Sequence, residues 1–302
     1  MDLLFCGSGW LPVVDAIASR LDAGDRVRVW DRGRPLAVEV AATRPDVLLP
    51  SNGRVDAAVI AAATGLALIQ QPAVGTDAID LAAAAARGIP VCNAPGANQV
   101  AVAEATLLLL LALARRWHPT QAAFRGAVVG APAGVELAGR RLTVVGHGRT
   151  GAAVATRARA LGLEVQVATS ATSRAELLAL LAASDAVTLH CPLTAATRGL
   201  IDAEALAALP PHALLVNLAR GPVVERAALE AALARGHLGG VGLDVFWDEP
   251  WDPDEQLYAD PRVVTLPHVA GSTTEAFARI AAVVVDNVAR MKRGAPLVHR
   301  IC

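Results

Sequence analysis

The stretch Leu142-Thr143-Val144-Val145-Gly146-His147-Gly148-Arg149-Thr150-Gly151 constrains this chain more than any other. Four residues suited to a buried strand run directly into G-H-G-R-T-G, and an alanine-rich helical segment, Ala152 to Leu161, follows at once. The pattern is a strand, a tight turn and a helix. In such a turn Gly146 allows the bend, Gly148 lets the backbone approach a pyrophosphate, and Gly151 lets helix and strand pack closely. The anion would rest on the free N–H groups and positive dipole end of the helix, where Arg149 and Thr150 stand. Glycine is common here, 25 of 302 residues, so the spacing alone is a weak signal. The strand before it and the helix after it are what point to a dinucleotide site. A second glycine pair, Gly7-Ser8-Gly9, has Pro12 in place of a third glycine and reads as an ordinary strand-to-helix loop.

The length allows two domains with substantial cores. Hydrophobic residues make up 54% of the chain but aromatic ones only 3%, a composition suited to small-residue helices packed on parallel sheets. A net charge of −1 gives no electrostatic footprint for nucleic acid or an anionic membrane. The four cysteines, at 6, 92, 191 and 302, include no C-x-x-C pair, so neither a disulfide framework nor a metal site is expected. They fit a reducing cytoplasm. Asp2 stands where a signal peptide would carry positive charge, and the longest aliphatic run, Leu107 to Ala114, is far short of the roughly 20 residues of a membrane helix.

Residues 1–95 alternate short apolar runs with helix-like segments. Leu3–Cys6, Val27–Trp30, Val47–Leu49, Ala67–Gln70 and Val91–Asn93 read as five strands of a small doubly wound unit. Ligand loops are expected at their carboxyl ends, notably Ser51-Asn52-Gly53 and Ala73-Val74-Gly75-Thr76-Asp77. From Val100 to Arg116 runs a helix with an apolar face too wide for an exposed helix. It reads either as a bridge between domains with part in a homodimer interface, or as a helix buried within one chain. After the glycine loop, Glu164–Ala168, Ala186–His190, Ala213–Asn217, Gly240–Val245 and Val263–Leu266 bring the second set to six strands, the complement of a dinucleotide fold. A last helix, Thr274 to Arg293, would return the chain to the first domain. The expected organisation is α/β: a Rossmann domain over 96–272 inserted into a discontinuous, flavodoxin-like substrate domain of residues 1–95 and 273–302, with a hinged cleft between.

Three stretches carry candidate chemistry: Asn217-Leu218-Ala219-Arg220-Gly221, Asp244-Val245-Phe246-Trp247-Asp248-Glu249-Pro250 and Leu266-Pro267-His268-Val269-Ala270-Gly271-Ser272. Each lies at or just beyond the carboxyl end of an expected strand. Reduction of a 2-oxo acid needs a cation for the substrate carboxylate, a proton donor for the oxyanion, and something to keep that donor protonated. Arg220 can clamp a carboxylate with paired N–H groups, His268 can give the proton, and Glu249 beside it would raise the imidazole pKa. Singly, each has a duller reading: a cap or surface charge for Arg220, a solvated loop acid for Glu249, a backbone-bonded loop residue for His268. Their joint placement after three successive strands tilts the balance.

The order and spacing of V-G-T-D-A-I-D from Val74, G-I-P-V-C-N-A-P-G-A-N from Gly88, V-A-E-A-T from Val102, V-V-G-H-G-R-T-G from Val144, H-C-P-L-T from His190, N-L-A-R-G from Asn217, L-D-V-F-W-D-E-P from Leu243 and L-P-H-V-A-G-S from Leu266 resemble the D-isomer-specific 2-hydroxyacid dehydrogenases over nearly the whole chain. That family includes glyoxylate and hydroxypyruvate reductases, phosphoglycerate dehydrogenase, D-lactate dehydrogenase and transcriptional corepressors. The resemblance implies that Arg220, Glu249 and His268 are the catalytic set and that the backbone of Val74 and Gly75 holds the substrate carboxylate. It implies cofactor contacts from Gly146, Gly148, Arg149, Thr150, Gly151, Pro192, Leu218, Asp244, His268 and Gly271, with Asp244 at the nicotinamide end. Formate dehydrogenases of this fold pair Gln with the His, so Glu249 argues against that activity. The sensor-like corepressor branch is the alternative class, with the intact Arg, Glu and His weighing against it.

One departure concerns the cofactor. The acid expected at the end of the second strand, for the adenosine ribose, is replaced by Thr169, eighteen residues after Gly151. With Ser170 and Arg174 close by, this arrangement could bind a 2′-phosphate and favours NADP over NAD. The competing reading makes Ser173 and Glu176 an S-x-x-E capping box and turns Arg174 to solvent. Arg54 is the lone cation in the loop after the third strand, so a small unphosphorylated oxo acid such as glyoxylate or hydroxypyruvate is favoured over phosphoglycerate.

Overall fold

Strands fully buried on both faces, such as Leu3-Leu4-Phe5 and Val47-Leu48-Leu49, have no solvent side on which to place polar residues, and they form the middle of a parallel sheet. The computed structural model describes residues 1–302. They divide into two compact units, Met1–Asn98 with Ser272–Cys302, and Gln99–Gly271.

In the first unit, β1 (Asp2–Phe5), β2 (Arg26–Val29), β3 (Val47–Leu49), β4 (Leu68–Gln70) and β5 (Val91–Cys92) form a parallel sheet in the order β2-β1-β3-β4-β5. The chain's last helix, Thr274–Lys292, packs on the first, Pro12–Ala18, over one face. Its apolar side, Ile280, Ala281, Val284 and Val288, joins Leu3, Phe5 and Ile17 in one core. The C-terminal tail then pairs antiparallel with β5, through Ile301 N–H to Val91 O and Val91 N–H to Cys302 O. The loops at the carboxyl ends of β1, β3 and β4 are locked together. A β-carbon at Gly53 would collide with the carbonyl of Cys6, Ser8 N–H donates to Asn52 Oδ1 at 2.8 Å, and Asn52 Nδ2 donates to Ser8 Oγ at 2.6 Å. Gly7-Ser8-Gly9 is thus the strand-to-helix loop its sequence implies.

The second unit has β6 (Arg141–Val145), β7 (Glu164–Ala168), β8 (Ala186–Leu189), β9 (Leu214–Asn217), β10 (Gly240–Leu243) and β11 (Val263–Thr265), all parallel, in the order β11-β10-β9-β8-β6-β7. Counting from β6, the third strand lies beside the first. The sheet is therefore a flavodoxin-type order extended by one strand rather than the 3-2-1-4-5-6 arrangement a six-strand count evokes. The rule for ligand position is unchanged: chain direction reverses at β6, and the carboxyl ends of β6 and β8 flank that switch point.

The long helix Gln99–Ala114 lies across β9, β10 and β11. Glycines in β10 make room for it: a β-carbon at Gly242 would come within 3.1 Å of Leu109 Cβ, and one at Gly240 within 3.0 Å of Leu113 Cδ2. A further helix, Trp117–Arg125, not anticipated from the sequence, buries none of its residues. No helix of the chain is long and apolar enough to cross a membrane.

Candidate active site

The glycine loop follows β6 and opens the helix Arg149–Ala160. Gly146 has φ of 91°, in the region glycine enters without a Cβ penalty. A β-carbon there would also come within 2.6 Å of Cys191 N and 2.7 Å of His190 C, so the loop after β8 lies directly against the turn. At Gly151 a β-carbon would strike the carbonyl of Gly146. Nothing in the chain stands within 4 Å of a β-carbon built on Gly148. That open space, before a helix start whose N-cap Gly148 brings no side-chain cap, leaves first-turn N–H groups to an anion. The residues present therefore fit a dinucleotide pyrophosphate. His147, Gly148 and Arg149 are exposed, and Thr150 is half-buried. Pro192 is exposed on the opposing loop, which Thr197 pins by donating from Oγ1 to Pro192 O at 2.6 Å. Burial pushes the Cys191 thiol up, leaving it a protonated packing residue.

Arg220, Glu249 and His268 come together past the ends of β9, β10 and β11. Asn217, fully buried, shapes the first loop: its Nδ2 donates to Arg220 O at 2.9 Å and its Oδ1 accepts from Ala219 N–H at 3.0 Å. Gly221 lets that loop touch the next, since a β-carbon there would collide with the carbonyl of Phe246. Glu249 accepts from Phe246 N–H through Oε1 at 3.1 Å and contacts His268 Nδ1 through Oε2 at 2.7 Å. Burial pushes the Glu249 carboxyl up, but the hydrogen bond and charge of His268, the Phe246 N–H and the Arg220 charge outweigh it and hold it below its usual value. Glu249 is thus an anion bonded to Nδ1 of the imidazole.

His268 has φ of 53°, a left-handed conformation costing a non-glycine residue about 1–3 kcal/mol unless its surroundings enforce it. Asp244 enforces it. Its carboxylate, 2% exposed, accepts from Val269 N–H at 2.8 Å and from Ala270 N–H at 3.1 Å, closing the turn just after His268. Burial pushes the Asp244 carboxyl up to about 6 despite these bonds and the nearby His268 charge. The sequence reading gave Asp244 a cofactor contact; in the structure its oxygens face the His268 loop.

Two side chains at the cofactor end are engaged within the protein. Arg174 is ion-paired: Nη2 meets Asp202 at 2.5 Å and Glu204 at 2.8 Å, and Nη1 donates to Leu200 O at 2.9 Å. These partners lie 28 and 30 residues downstream and are invisible to local reading. Leu218 is a core side chain, 8% exposed and packed beneath the sheet, so only its main chain is left for a ligand. The S-x-x-E reading holds, with Ser173 and Glu176 forming a reciprocal capping box. Thr169 and Ser170 are exposed, and Thr169 closes a small turn with Ala171 and Thr172. Beside them a groove of about 530 Å³ is lined by Thr169, Thr172 and Glu176 among others. Glu176 is held below the usual carboxylate range by the Ser173 N–H and hydroxyl, so the groove carries a negative charge.

In the first unit Val74 is exposed and Gly75 half-buried on the loop after β4. Gly271, half-buried, closes the second unit.

Residues 107–270, more than half of the chain, match the D-isomer specific 2-hydroxyacid dehydrogenase, NAD binding domain. The chain belongs to this 2-hydroxyacid dehydrogenase family. It is 38% identical to a glyoxylate reductase of Korarchaeum cryptofilum, over 80% of this chain and 77% of that one. It is 37% identical to a D-3-phosphoglycerate dehydrogenase of Archaeoglobus fulgidus, over 83% of this chain and 50% of the relative. The chain spans about half the length of the phosphoglycerate dehydrogenases it matches. Among solved structures, the NADPH-dependent glyoxylate/hydroxypyruvate reductase of Sinorhizobium meliloti, in complex with NADP and malonate, superposes with a TM-score of 0.86 at 29% identity, covering 100% of this chain and 96% of that one. The two-sheet α/β architecture of the dehydrogenase family is therefore shared throughout.

Sequence reasoning within this family framework missed Asn217 as the residue that shapes the Arg220 loop. The available signal was a polar residue closing a fully apolar strand, where an unbonded amide would be costly.

Proposed function

We propose that this 2-hydroxyacid dehydrogenase transfers hydride from a reduced nicotinamide dinucleotide to C2 of a small 2-oxo acid, giving the D-2-hydroxy acid. The observation that carries the reading is the Arg220, Glu249 and His268 cluster on the unit that also bears the glycine loop. When bound, the dinucleotide supplies the hydride. Its pyrophosphate is assigned to Gly146, Gly148, Arg149, Thr150 and Gly151, with further contacts from Thr169, Ser170, Pro192, the Leu218 main chain, Asp244, His268 and Gly271. Arg220 binds and polarises the substrate, Nε2 of His268 gives its proton to the carbonyl oxygen, and Glu249 accepts from Nδ1–H and steadies the imidazolium. The main chain of Val74 and Gly75 holds the carboxylate.

Arg54, 85% exposed, has only a 4.0 Å approach to Asp56 as an ion pair, and one loose cation is a poor phosphate site. This supports glyoxylate or hydroxypyruvate over phosphoglycerate. Arg174 is matched by two carboxylates and Glu176 stands charged beside Thr169, which supports NAD in preference to the NADP that the sequence favoured. The four cysteines are unpaired, which accords with a reducing cytoplasm. A homodimer accords with the outward apolar residues of the helices at 99–114 and 117–125: Leu108 is 56%, Trp117 49% and Phe124 80% exposed.

The test is the initial rate of NADH and, separately, NADPH oxidation with glyoxylate, hydroxypyruvate, pyruvate and phenylpyruvate. The reading expects turnover with the two small acids and a higher kcat/KM for NADH. No turnover with any pair would favour a sensor of the cofactor.

A further inference from the structure

The loop after β4 carries two successive peptide groups whose orientations are fixed from behind by side-chain amides. Asn93, just past β5, donates from Nδ2 to Val74 O at 2.9 Å. Gln71, just past β4 and 3% exposed, donates from Nε2 to Gly75 O at 2.7 Å and to Ser51 O at 3.0 Å. The peptides Val74–Gly75 and Gly75–Thr76 are trans, so each N–H points opposite to its carbonyl. With both carbonyls pulled back toward Asn93 and Gln71, the N–H groups of Gly75 and Thr76 turn the other way. Neither donates to any main-chain carbonyl. Two adjacent N–H groups turned away from bonded carbonyls and making no main-chain bond can converge on an anion.

We propose that Gln71 and Asn93 are positioning residues that build this anion nest, so that recognition of a carboxylate by the Val74–Gly75 loop depends on them. The inference rests on the reading of that loop as the carboxylate holder. Gln71 suits the task by chemistry: its two donors face two carbonyls, which fixes the amide orientation, and no carboxylate could replace it without facing two carbonyl oxygens. It also ties the Ser51 loop to the Gly75 loop, and Ser51 has φ of 55°, a conformation that needs such support. Behind Gln71 the amides continue: Asn287 Nδ2 donates to Gln70 Oε1 at 2.7 Å, and Gln70 Nε2 donates to Gln71 O at 3.2 Å. Asn287 also bonds both the N–H and, through Nδ2, the carbonyl of Val298, so the C-terminal tail and the last helix brace the same frame.

The experiment follows the Gly75 amide in full-length protein labelled with [15N]glycine, titrated with oxalate, a carboxylate probe with no reducible carbonyl. The wild type is expected to show a saturable shift of the Gly75 cross-peak. Gln71→Glu should weaken the apparent affinity at least 10-fold, with the cross-peaks of glycines in the second unit unmoved. Asn93→Ala, a truncation at a half-buried site that adds no buried charge, should weaken it several-fold and keeps the test open if Gln71→Glu fails to fold. In the same variants KM for the oxo acid should rise while KM for the cofactor stays within about 2-fold, a split that general loosening of the fold would not give. A wild-type shift with unchanged affinity in both variants overturns the positioning role and leaves the carboxylate site standing. A Gly75 amide indifferent to oxalate in the wild type overturns the carboxylate reading, and the positioning role with it.

Discussion

Replacing Asp244 with Asn should change how stability depends on pH in a way that follows from its burial. The carboxyl is raised from 3.8 to about 6, and each unit is worth about 1.4 kcal/mol, so ionising it in the native state costs about 3 kcal/mol. Because the native value lies above the unfolded one, this group's contribution is fully present below about pH 4 and is lost as pH rises through about 6. Asn keeps one carbonyl oxygen for the Val269 and Ala270 N–H groups but loses the second Ala270 contact, worth about 1 kcal/mol. Asp244→Asn should therefore be about 1 kcal/mol less stable than wild type at pH 3.5 and about 2 kcal/mol more stable at pH 7.5. The check is a set of urea unfolding curves across that range, followed by tryptophan fluorescence. Curves for the two proteins that run parallel in pH would refute the raised carboxyl, and a variant that loses ground toward neutral pH would reverse its sign.

Four further outcomes follow from the same geometry. Gly148→Ala meets open space in the chain, so Tm should stay within about 2 °C of wild type while NADH binding, read by fluorescence titration, weakens at least 10-fold. Gly151→Ala drives a β-carbon into the Gly146 carbonyl and should cost about 1–3 kcal/mol of stability as well as cofactor binding; equal Tm values for the two variants would contradict the assignment of separate tasks. Glu249→Gln should lower kcat about 10²-fold. Since Glu249 is held below its usual range, the wild-type Glu249–His268 pair should survive down to about pH 4.5 and be lost as pH falls further; an activity loss centred near pH 6 that disappears in Glu249→Gln would be the wrong sign. Phe124→Glu with Leu108→Glu should give a monomer by analytical ultracentrifugation, and an unchanged sedimentation coefficient would show that this face is not the interface.

Much of this fold is legible in the sequence because parallel strands buried on both faces leave continuous apolar runs. All eleven strands fall within two residues of the runs that announce them, as with Val47–Leu49 and Glu164–Ala168. The helix at 117–125 buries nothing, so no core imprint marks it in the sequence. Strand order is a matter of long-range pairing, and nothing local says that β8 lies beside β6. The candidate site divides the same way. Arg220, Glu249 and His268 follow from residue type and position after strands, whereas the groups that hold Arg174 and Asp244 inside the protein, Asp202 and Glu204 in one case and the N–H groups of Val269 and Ala270 in the other, are far away in sequence and leave no local signal. Gln71 and Asn93 escaped notice for a related reason: an amide at the end of an apolar strand signals a buried hydrogen bond, but not to which loop.

The central claim is that His268, held by Glu249 and by the turn Asp244 closes, delivers the proton that accompanies hydride transfer. The most direct measurement compares kcat of wild type and His268→Gln with saturating NADH and glyoxylate or hydroxypyruvate, alongside NADH dissociation constants for both proteins. The account predicts a fall in kcat of about 10²-fold or more with cofactor affinity held within a few-fold. Near-normal turnover in His268→Gln would contradict it.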